Sequence, residues 1–232
     1  MTIKDLPKLL RPSNERLNSL EELRGHTLGV DVSMLLHQLL HQGSSIVDDF
    51  HTKPPQDLSS FVYQNHDQFK RCMDLFDIKI IMVYDGCRNP LKSTEDGSRL
   101  KSVDINLQLA RDVITEVAGG TTAIAADLMK YKKRAMYVRP DIVAASYIWC
   151  QSAGVESIGS PFEADHQLDA CERAGITSGS ICDDSDLFII GSKVVVQMVN
   201  LATGECNIVR REVIIEKLFH SWSHDDLIAF GV

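Results

Sequence analysis

Four apolar segments of this chain run into carboxylates. Asp31 follows Thr27-Leu28-Gly29-Val30, and Asp85 follows Ile80-Ile81-Met82-Val83-Tyr84. Glu163 and Asp165 follow Val155-Glu156-Ser157-Ile158, and Asp183, Asp184 and Asp186 follow Ile181-Cys182. Each segment reads as a strand, and strand ends on one edge of a parallel sheet bring acids that are distant in sequence to one place. Carboxylates crowded within a few ångströms raise each other's pKa and do not all stay ionised without cations. Hard divalent metals bound through oxygen are the natural counter-charge, and two of them roughly 4 Å apart can hydrolyse a phosphodiester. The spacings Glu163-x-Asp165 and Asp184-x-Asp186 let each pair present two carboxylates to one side. Taken singly, every acid has a plainer reading: Asp31 and Asp85 as turn residues, Glu163 and Asp183 as helix caps. Ser160-Pro161-Phe162-Glu163 also fits a capping box with proline at the first helical position. Pattern alone leaves caps and ligands both open.

The elements that must position these acids alternate between apolar strands and amphipathic helices. That order predicts an α/β fold with a mainly parallel central sheet and helices on both faces. Ser33 to Gln42 reads as a helix closed by Gly43, Ser44 to Ser60 as a loop, and Phe61 to Phe76 as a helix leading into the strand before Asp85. Gly86 to Pro90 is turn-like, Val103 to Val117 reads as a helix, and Ala123 to Cys150 is helical with a break near Pro140. This helical insertion between the second and third strands carries Lys130, Lys132, Lys133, Arg134 and Arg139, a cluster that also fits a solvated helix face. Strand, helix and strand follow over Val155–Ser160, Pro161–Ala174 and Ser178–Cys182. A hairpin at the sheet edge is expected from Val194–Val199 and Cys206–Val209, then a helix over Arg211–His220 and the start of another at Asp225. One domain is expected: an N-terminal region 1–91, the insertion 92–140 and an internal region 141–232.

With 232 residues, 44% hydrophobic and 24% charged, the chain suffices for one well-cored α/β domain and is not a disordered protein. Six cysteines without metal-ligand spacing predict reduced, intracellular thiols. No secretory signal or membrane-spanning run is apparent. The net charge of −8 argues against nucleic-acid binding by bulk electrostatics, so phosphate contacts must come from local basic patches or metal ions.

Val30-Asp31-Val32-Ser33-Met34, Val83-Tyr84-Asp85-Gly86, Ser160-Pro161-Phe162-Glu163-Ala164-Asp165-His166-Gln167-Leu168 and Asp183-Asp184-Ser185-Asp186-Leu187 resemble, in order and spacing, the N-terminal and internal signatures of the flap-endonuclease (XPG/Rad2-like) superfamily of 5′ nucleases. Asp85-Gly86-Cys87 with Pro90, the Glu-Ala-Asp triplet, Asp-Ser-Asp-Leu and His37 look closest to its 5′ exonuclease branch. The resemblance implies a PIN/5′-nuclease-like fold in which Asp31, Asp85, Glu163, Asp165, Asp184 and Asp186 hold two Mg²⁺ ions, with Mn²⁺ as a substitute. It implies that Lys92 and Arg99 reach the scissile phosphate, where cations suit developing negative charge. His37 falls where the family stacks an aromatic or histidine on the nucleotide beside the cut. The insertion matches the helical gateway that admits a single strand or frayed 5′ end, so Lys130, Lys132, Lys133 and Arg134 would line its path. The implied partner is DNA with a 5′ end, flap, nick or gap, with RNA also open and no membrane. The implied setting is nuclear, in repair, replication or recombination.

Three departures qualify the transfer. Thr2 and Asp5 stand where the family has glycines packed close to the active site, so side chains should crowd that region. Thr94-Glu95-Asp96-Gly97 and Asp104 stand where basic residues usually gather. The sequence ends at Asp226–Val232, where the family pattern leads into a further metal-binding aspartate and a helix-hairpin element that grips duplex DNA. These departures support an alternative: a catalytically weak or inactive nuclease-like domain that binds nucleic acid or a protein. An RNase of a related small nuclease fold is a third reading.

Overall fold

A computed structural model of the chain describes residues 18–42, 50, 58–87, 93–116, 122–184, 186–218, 223 and 226. The described elements are β1 (Asn18–Ser19), a 3-10 turn (Leu20–Leu23), β2 (Thr27–Asp31), α1 (Val32–Gln42), α2 (Ser59–Leu75), β3 (Lys79–Tyr84), α3 (Ser93–Glu116) and α4 (Thr122–Arg134). They continue with α5 (Pro140–Ala153), β4 (Glu156–Gly159), α6 (Ala164–Arg173), β5 (Gly179–Ile181), α7 (Asp186–Ile190), β6 (Val194–Gln197), β7 (Glu205–Arg210) and α8 (Arg211–Leu218).

The chain divides into two compact units. A sheet unit comprises residues 1–35, 66–87 and 149–232, and a helical unit comprises 36–65 and 88–148. In the sheet unit the strand order is β1-β7-β6-β5-β2-β3-β4. Strands β6, β5, β2, β3 and β4 run parallel, and β7 and β1 close one side antiparallel. Strands covered on both faces read as continuous apolar runs, and the inner ones do so here: Leu28, Val30, Ile81, Met82, Val83, Ile181, Val195 and Val196 are all buried. The order reverses at β2, which lies between β5 and β3. Such a switch point opens a crevice beyond the strands' carboxyl ends.

Helix α6 packs on this sheet through an unusually close approach. A Cβ placed on Gly29 would lie 2.5 Å from Leu168 Cδ2, so glycine in β2 lets α6 settle directly over the strand. Ala164, Leu168, Leu187, Phe188 and Ile214 join Ile81, Val83, Val195 and Val209 in one core cluster. Further along α6, Asp169 pairs with Arg173, while the Glu172 carboxylate accepts the Ser192 hydroxyl at 2.5 Å and the Lys193 N–H at 2.9 Å.

In the helical unit α3 and α4 pack together, and Ala135 and Met136 are buried in the link to α5. Pro140 opens α5, where proline's missing N–H costs no helical bond. Arg139 donates to both Asp141 oxygens (2.9 and 2.7 Å) and to the Phe50 carbonyl (3.1 Å), and its guanidinium lies 4.8 Å from the Phe50 ring.

The structure revises several sequence expectations. Helix α3 begins at Ser93, ten residues before the predicted start. The β6–β7 hairpin is not at the edge, because β1 pairs outside β7; two residues are too few for β1 to show a periodic signal. Pro161 and Phe162 lie outside α6, which begins at Ala164 with Glu163 as its N-cap residue. The capping box does not form: the Ser160 hydroxyl donates instead to the Tyr84 and Phe162 carbonyls (2.6 and 3.1 Å). Arg139 is a structural pair and leaves the basic cluster. Gly43, Thr2 and Asp5 lie outside the described residues, as does most of the expected C-terminal helix. Among the described residues no helix is long and apolar enough to cross a membrane, and all six cysteines are free thiols.

Candidate metal centre

Asp31 is the last residue of β2, paired in register with Val83 of β3. Asp85 follows β3, the loop carrying Glu163 follows β4, and the turn carrying Asp183 and Asp184 follows β5, so the acids share the carboxyl edge of four adjacent parallel strands. The helices that begin there fix them. Asp31 Oδ1 accepts the Met34 N–H at 3.0 Å in the first turn of α1. Asp85 Oδ1 accepts the Ala164 N–H at 2.8 Å, capping α6 from 79 residues away, and its Oδ2 accepts the Ser33 hydroxyl at 2.5 Å. Asp184 Oδ1 accepts the Asp186 N–H at 3.0 Å at the start of α7. A carboxylate has about four lone-pair positions, so a cap bond leaves capacity for a cation. The choice between cap and ligand is not exclusive.

The loop before α6 is clamped by the strand end. Gly86 N–H donates to the Phe162 carbonyl at 2.6 Å and Cys87 N–H to the Pro161 carbonyl at 3.0 Å. A Cβ on Gly86 would stand 1.9 Å from the Ser160 carbonyl oxygen, which only glycine avoids. The clamp seats Glu163 at the α6 N-terminus, where it adds negative charge to Asp165.

Burial pushes the Asp165 carboxyl up to about 7, with Asp31, Asp184, Asp85 and Glu163 adding repulsion in that order. Burial likewise raises Asp31 to about 6, with a contribution from Asp85 and opposition from hydrogen bonds to Met34 and Cys182. Asp165 Oδ1 is buried and accepts no hydrogen bond from the described residues. An orphaned carboxylate oxygen among repelling acids fits a divalent cation, which replaces the missing donor and offsets the charge.

Five of the six predicted ligands thus act on one another at Asp165, and Asp186 opens α7 beside Asp184. Asp183 points elsewhere: its Oδ1 accepts the Met198 N–H at 3.0 Å, tying the turn to the β6–β7 hairpin. Sequence reasoning missed Cys182. One ligand atom each from Asp31, Asp165 and Cys182 lie within 4.8 Å of one another. The available signal was its position, immediately before the acidic turn on the strand next to β2. Burial, chiefly, raises the Cys182 thiol well above its ordinary pKa.

Of the predicted phosphate-facing residues, Lys92 lies outside the described residues and Arg99 lies on α3. In the helical unit His37 is exposed on α1 with its ring 4.3 Å from that of His41. Lys130 and Arg134 are exposed on α4 and Lys132 and Lys133 half-buried. Burial and then the Lys133 charge hold the His41 imidazole below its usual pKa.

The XPG N-terminal domain matches residues 1–106 and the XPG I-region matches residues 154–232. The chain belongs to the flap-endonuclease (XPG) superfamily of 5′ nucleases. Exodeoxyribonuclease 1 of Schizosaccharomyces pombe is 28% identical over 231 residues, which cover 95% of this chain and 38% of that relative. The catalytic core of Rad2 in complex with DNA substrate superposes with a TM-score of 0.61 at 16% identity, covering 99% of this chain and 61% of that one. The Holliday junction-resolving enzyme GEN1 in complex with product DNA and Mg²⁺ gives a TM-score of 0.51 at 17% identity, covering 92% of this chain and 41% of that one. At these identities the two structures establish the fold, an XPG-type α/β nuclease fold. This XPG chain spans less than two fifths of the length of its Schizosaccharomyces relative.

Proposed function

We propose that this chain carries the metal-binding core of a structure-specific 5′ nuclease that hydrolyses phosphodiester bonds in DNA by a two-metal mechanism, in nuclear DNA repair, replication or recombination. The observation that carries this reading is the convergence on Asp165, which has a buried oxygen without a hydrogen bond among the described residues and is repelled by the carboxylates of Asp31, Asp184, Asp85 and Glu163. Superfamily membership and the relatives' names support it.

Asp31, Asp85, Glu163, Asp165, Asp184 and Asp186 would hold two Mg²⁺ or Mn²⁺ ions. When bound, such ions supply an activated water and stabilise the charge that develops on the phosphate. The chain's own contribution is positioning. The N-termini of α1, α6 and α7 aim N–H groups at the acids and fix their orientation, while Gly86 holds the Glu163 loop against the strand end. Lys92 and Arg99 are assigned to the scissile phosphate, His37 to stacking on the nucleotide beside it, and Lys130, Lys132, Lys133 and Arg134 to the strand's phosphates in a gateway of α3 and α4.

The test is cleavage of 5′-labelled flap, nicked, gapped and blunt duplex DNA with Mg²⁺ or Mn²⁺, with RNA strands as a parallel arm. Release of 5′ fragments that chelation or Asp186→Ala abolishes is expected. Cleavage no greater than that of Asp186→Ala on every DNA would overturn the reading, and cleavage of RNA alone would reassign the substrate.

A further inference from the structure

Cys182 is fully buried at the candidate metal centre and has no place in an all-oxygen ligand set. Its Sγ donates to Asp31 Oδ2 across 3.4 Å and accepts the Asp184 N–H at 3.4 Å, so the sulfur is held among the acids from two sides. Asp165 brings an oxygen into the same group, all three ligand atoms lying within 4.8 Å of one another. The Asp165 oxygen left without a hydrogen bond among the described residues is a second, independent sign of a missing cation.

The donor set discriminates between cations: sulfur is a ligand that magnesium avoids and zinc or cadmium prefers.

We propose that Asp31, Asp165 and Cys182 form a mixed oxygen–sulfur site that takes a thiophilic divalent ion, zinc in the cell, in competition with magnesium. On binding, a metal–sulfur bond forms and the thiol proton, with any proton held by the two carboxyls, leaves to solvent, with no change of oxidation state. Asp31 and Asp165 are shared with the magnesium set, so the two occupancies exclude each other and zinc acts as an inhibitor. The proposal rests on the metal-centre reading and adds an ion class and a sulfur ligand to it.

Cadmium titrated into the full chain is the probe, read by the sulfur-to-cadmium charge-transfer band in the ultraviolet. The expected result is a band in the wild type that saturates at one equivalent, that excess Mn²⁺ suppresses, that persists in Cys87→Ser and that is missing in Cys182→Ser. Zinc affinity, measured against a chelating dye, should fall at least about tenfold in Cys182→Ser, the scale on which metal sites respond to loss of a supporting group. Calorimetric Mn²⁺ binding by the same variant should remain and would show that it is folded. No band in the wild type, a band that survives Cys182→Ser, or one that depends on the exposed Cys87 would each overturn the proposal. If Cys182→Ser does not fold, the wild-type competition decides: a cadmium band indifferent to excess Mn²⁺ overturns the shared site. Mn²⁺ failing to bind while the cadmium band persists would count against the nuclease reading and leave the sulfur site standing.

Discussion

The carboxyl edge of the sheet and the α3–α4 layer of the helical unit both carry charge, but they hold it differently. At the sheet edge Asp31, Asp85 and Asp184 are each fixed by a backbone N–H at 2.8–3.0 Å, and strand pairing sets their separation. On α4, Lys130 makes a 3.9 Å approach to Asp127, at the limit of an ion pair, and lies 5.7 Å from the Tyr131 ring centroid, both on its own helix. An exposed pair of this kind contributes little. On the proposed reading, the comparison separates charge that holds a small ion, pre-positioned by backbone, from charge that meets a long flexible polyanion and needs only to be on the right face.

The sharpest way to break that comparison is to remove one charge from each region. Asp165→Ala takes away the acid on which the other carboxylates converge, and metal-assisted hydrolysis depends on several kcal/mol of charge stabilisation. Cleavage should fall by about three orders of magnitude or more, measured as single-turnover rate in Mg²⁺. Lys130→Gln should leave that rate within about threefold. Comparable losses in the two variants would erase the distinction.

Next in size is the clamp that carries Glu163. Gly86→Ala places a Cβ 1.9 Å from the Ser160 carbonyl oxygen, a backbone atom that cannot simply rotate away. Overpacking of this kind costs about 1–3 kcal/mol, a Tm lower by about 2–10 °C for a chain of this length. Mn²⁺ affinity should fall with it, because the loop must move. An alanine variant with unchanged Tm and unchanged Mn²⁺ affinity would show that the clamp does not position the centre.

A third test reads the burial and repulsion of these carboxyls together. A carboxyl whose folded pKa is raised holds its proton more tightly when folded, so its stabilising share is full below the unfolded value near 4 and is lost as pH rises through the folded value. Asp31 at about 6 and Asp165 at about 7 therefore make the metal-free protein less stable between pH 4 and 7. Asp165→Asn removes its share and should raise the metal-free Tm at pH 8 by about 2–6 °C, with the gain vanishing at pH 4. Mg²⁺ should raise the wild-type Tm at pH 8 and leave that of Asp165→Asn nearly unmoved. Equal Tm values at pH 8 without metal would mean that neither burial nor the neighbouring acids strain the Asp165 carboxylate.

These effects also explain what was legible in the sequence. Alternation of apolar strands and helices placed Asp31, Asp85, Glu163, Asp165 and Asp184 at strand ends because parallel topology leaves few alternatives. Asp165, Asp169 and Glu172 recur at helical spacing on α6, and strand-end spacing with the family resemblance singled out Asp165. The part of the other two was not legible: Asp169 pairs with Arg173 within α6, and Glu172 ties α6 to Ser192 and Lys193. The long-range cap from Asp85 to Ala164 was equally invisible, and a local capping box stood in for it. Cys182 escaped because a single thiol before an acidic turn carries no spacing signal, and becomes informative only when β5 pairs with β2.

The smallest expected effect concerns the helical unit, where the sequence grouped five cations and the structure separates one. Arg139 is bound to Asp141, the Phe50 carbonyl and the Phe50 ring, whereas Lys130 and Arg134 are exposed on α4 and Lys132 and Lys133 half-buried. If α4 tracks phosphates, each contact should contribute about 0.7–0.9 to the slope of log affinity against log salt. Changing Lys130, Lys132, Lys133 and Arg134 together to Gln should lower that slope by about 3 and weaken binding of a 5′-flap DNA at moderate salt. The rate of the bound complex should stay the same. Arg139→Gln should do the reverse, lowering Tm because it breaks a bidentate pair and a stacked contact, while the salt slope holds. A slope that moves with Arg139 and not with the other four would put the polyanion on a different face, and α4 would no longer mark where the strand runs.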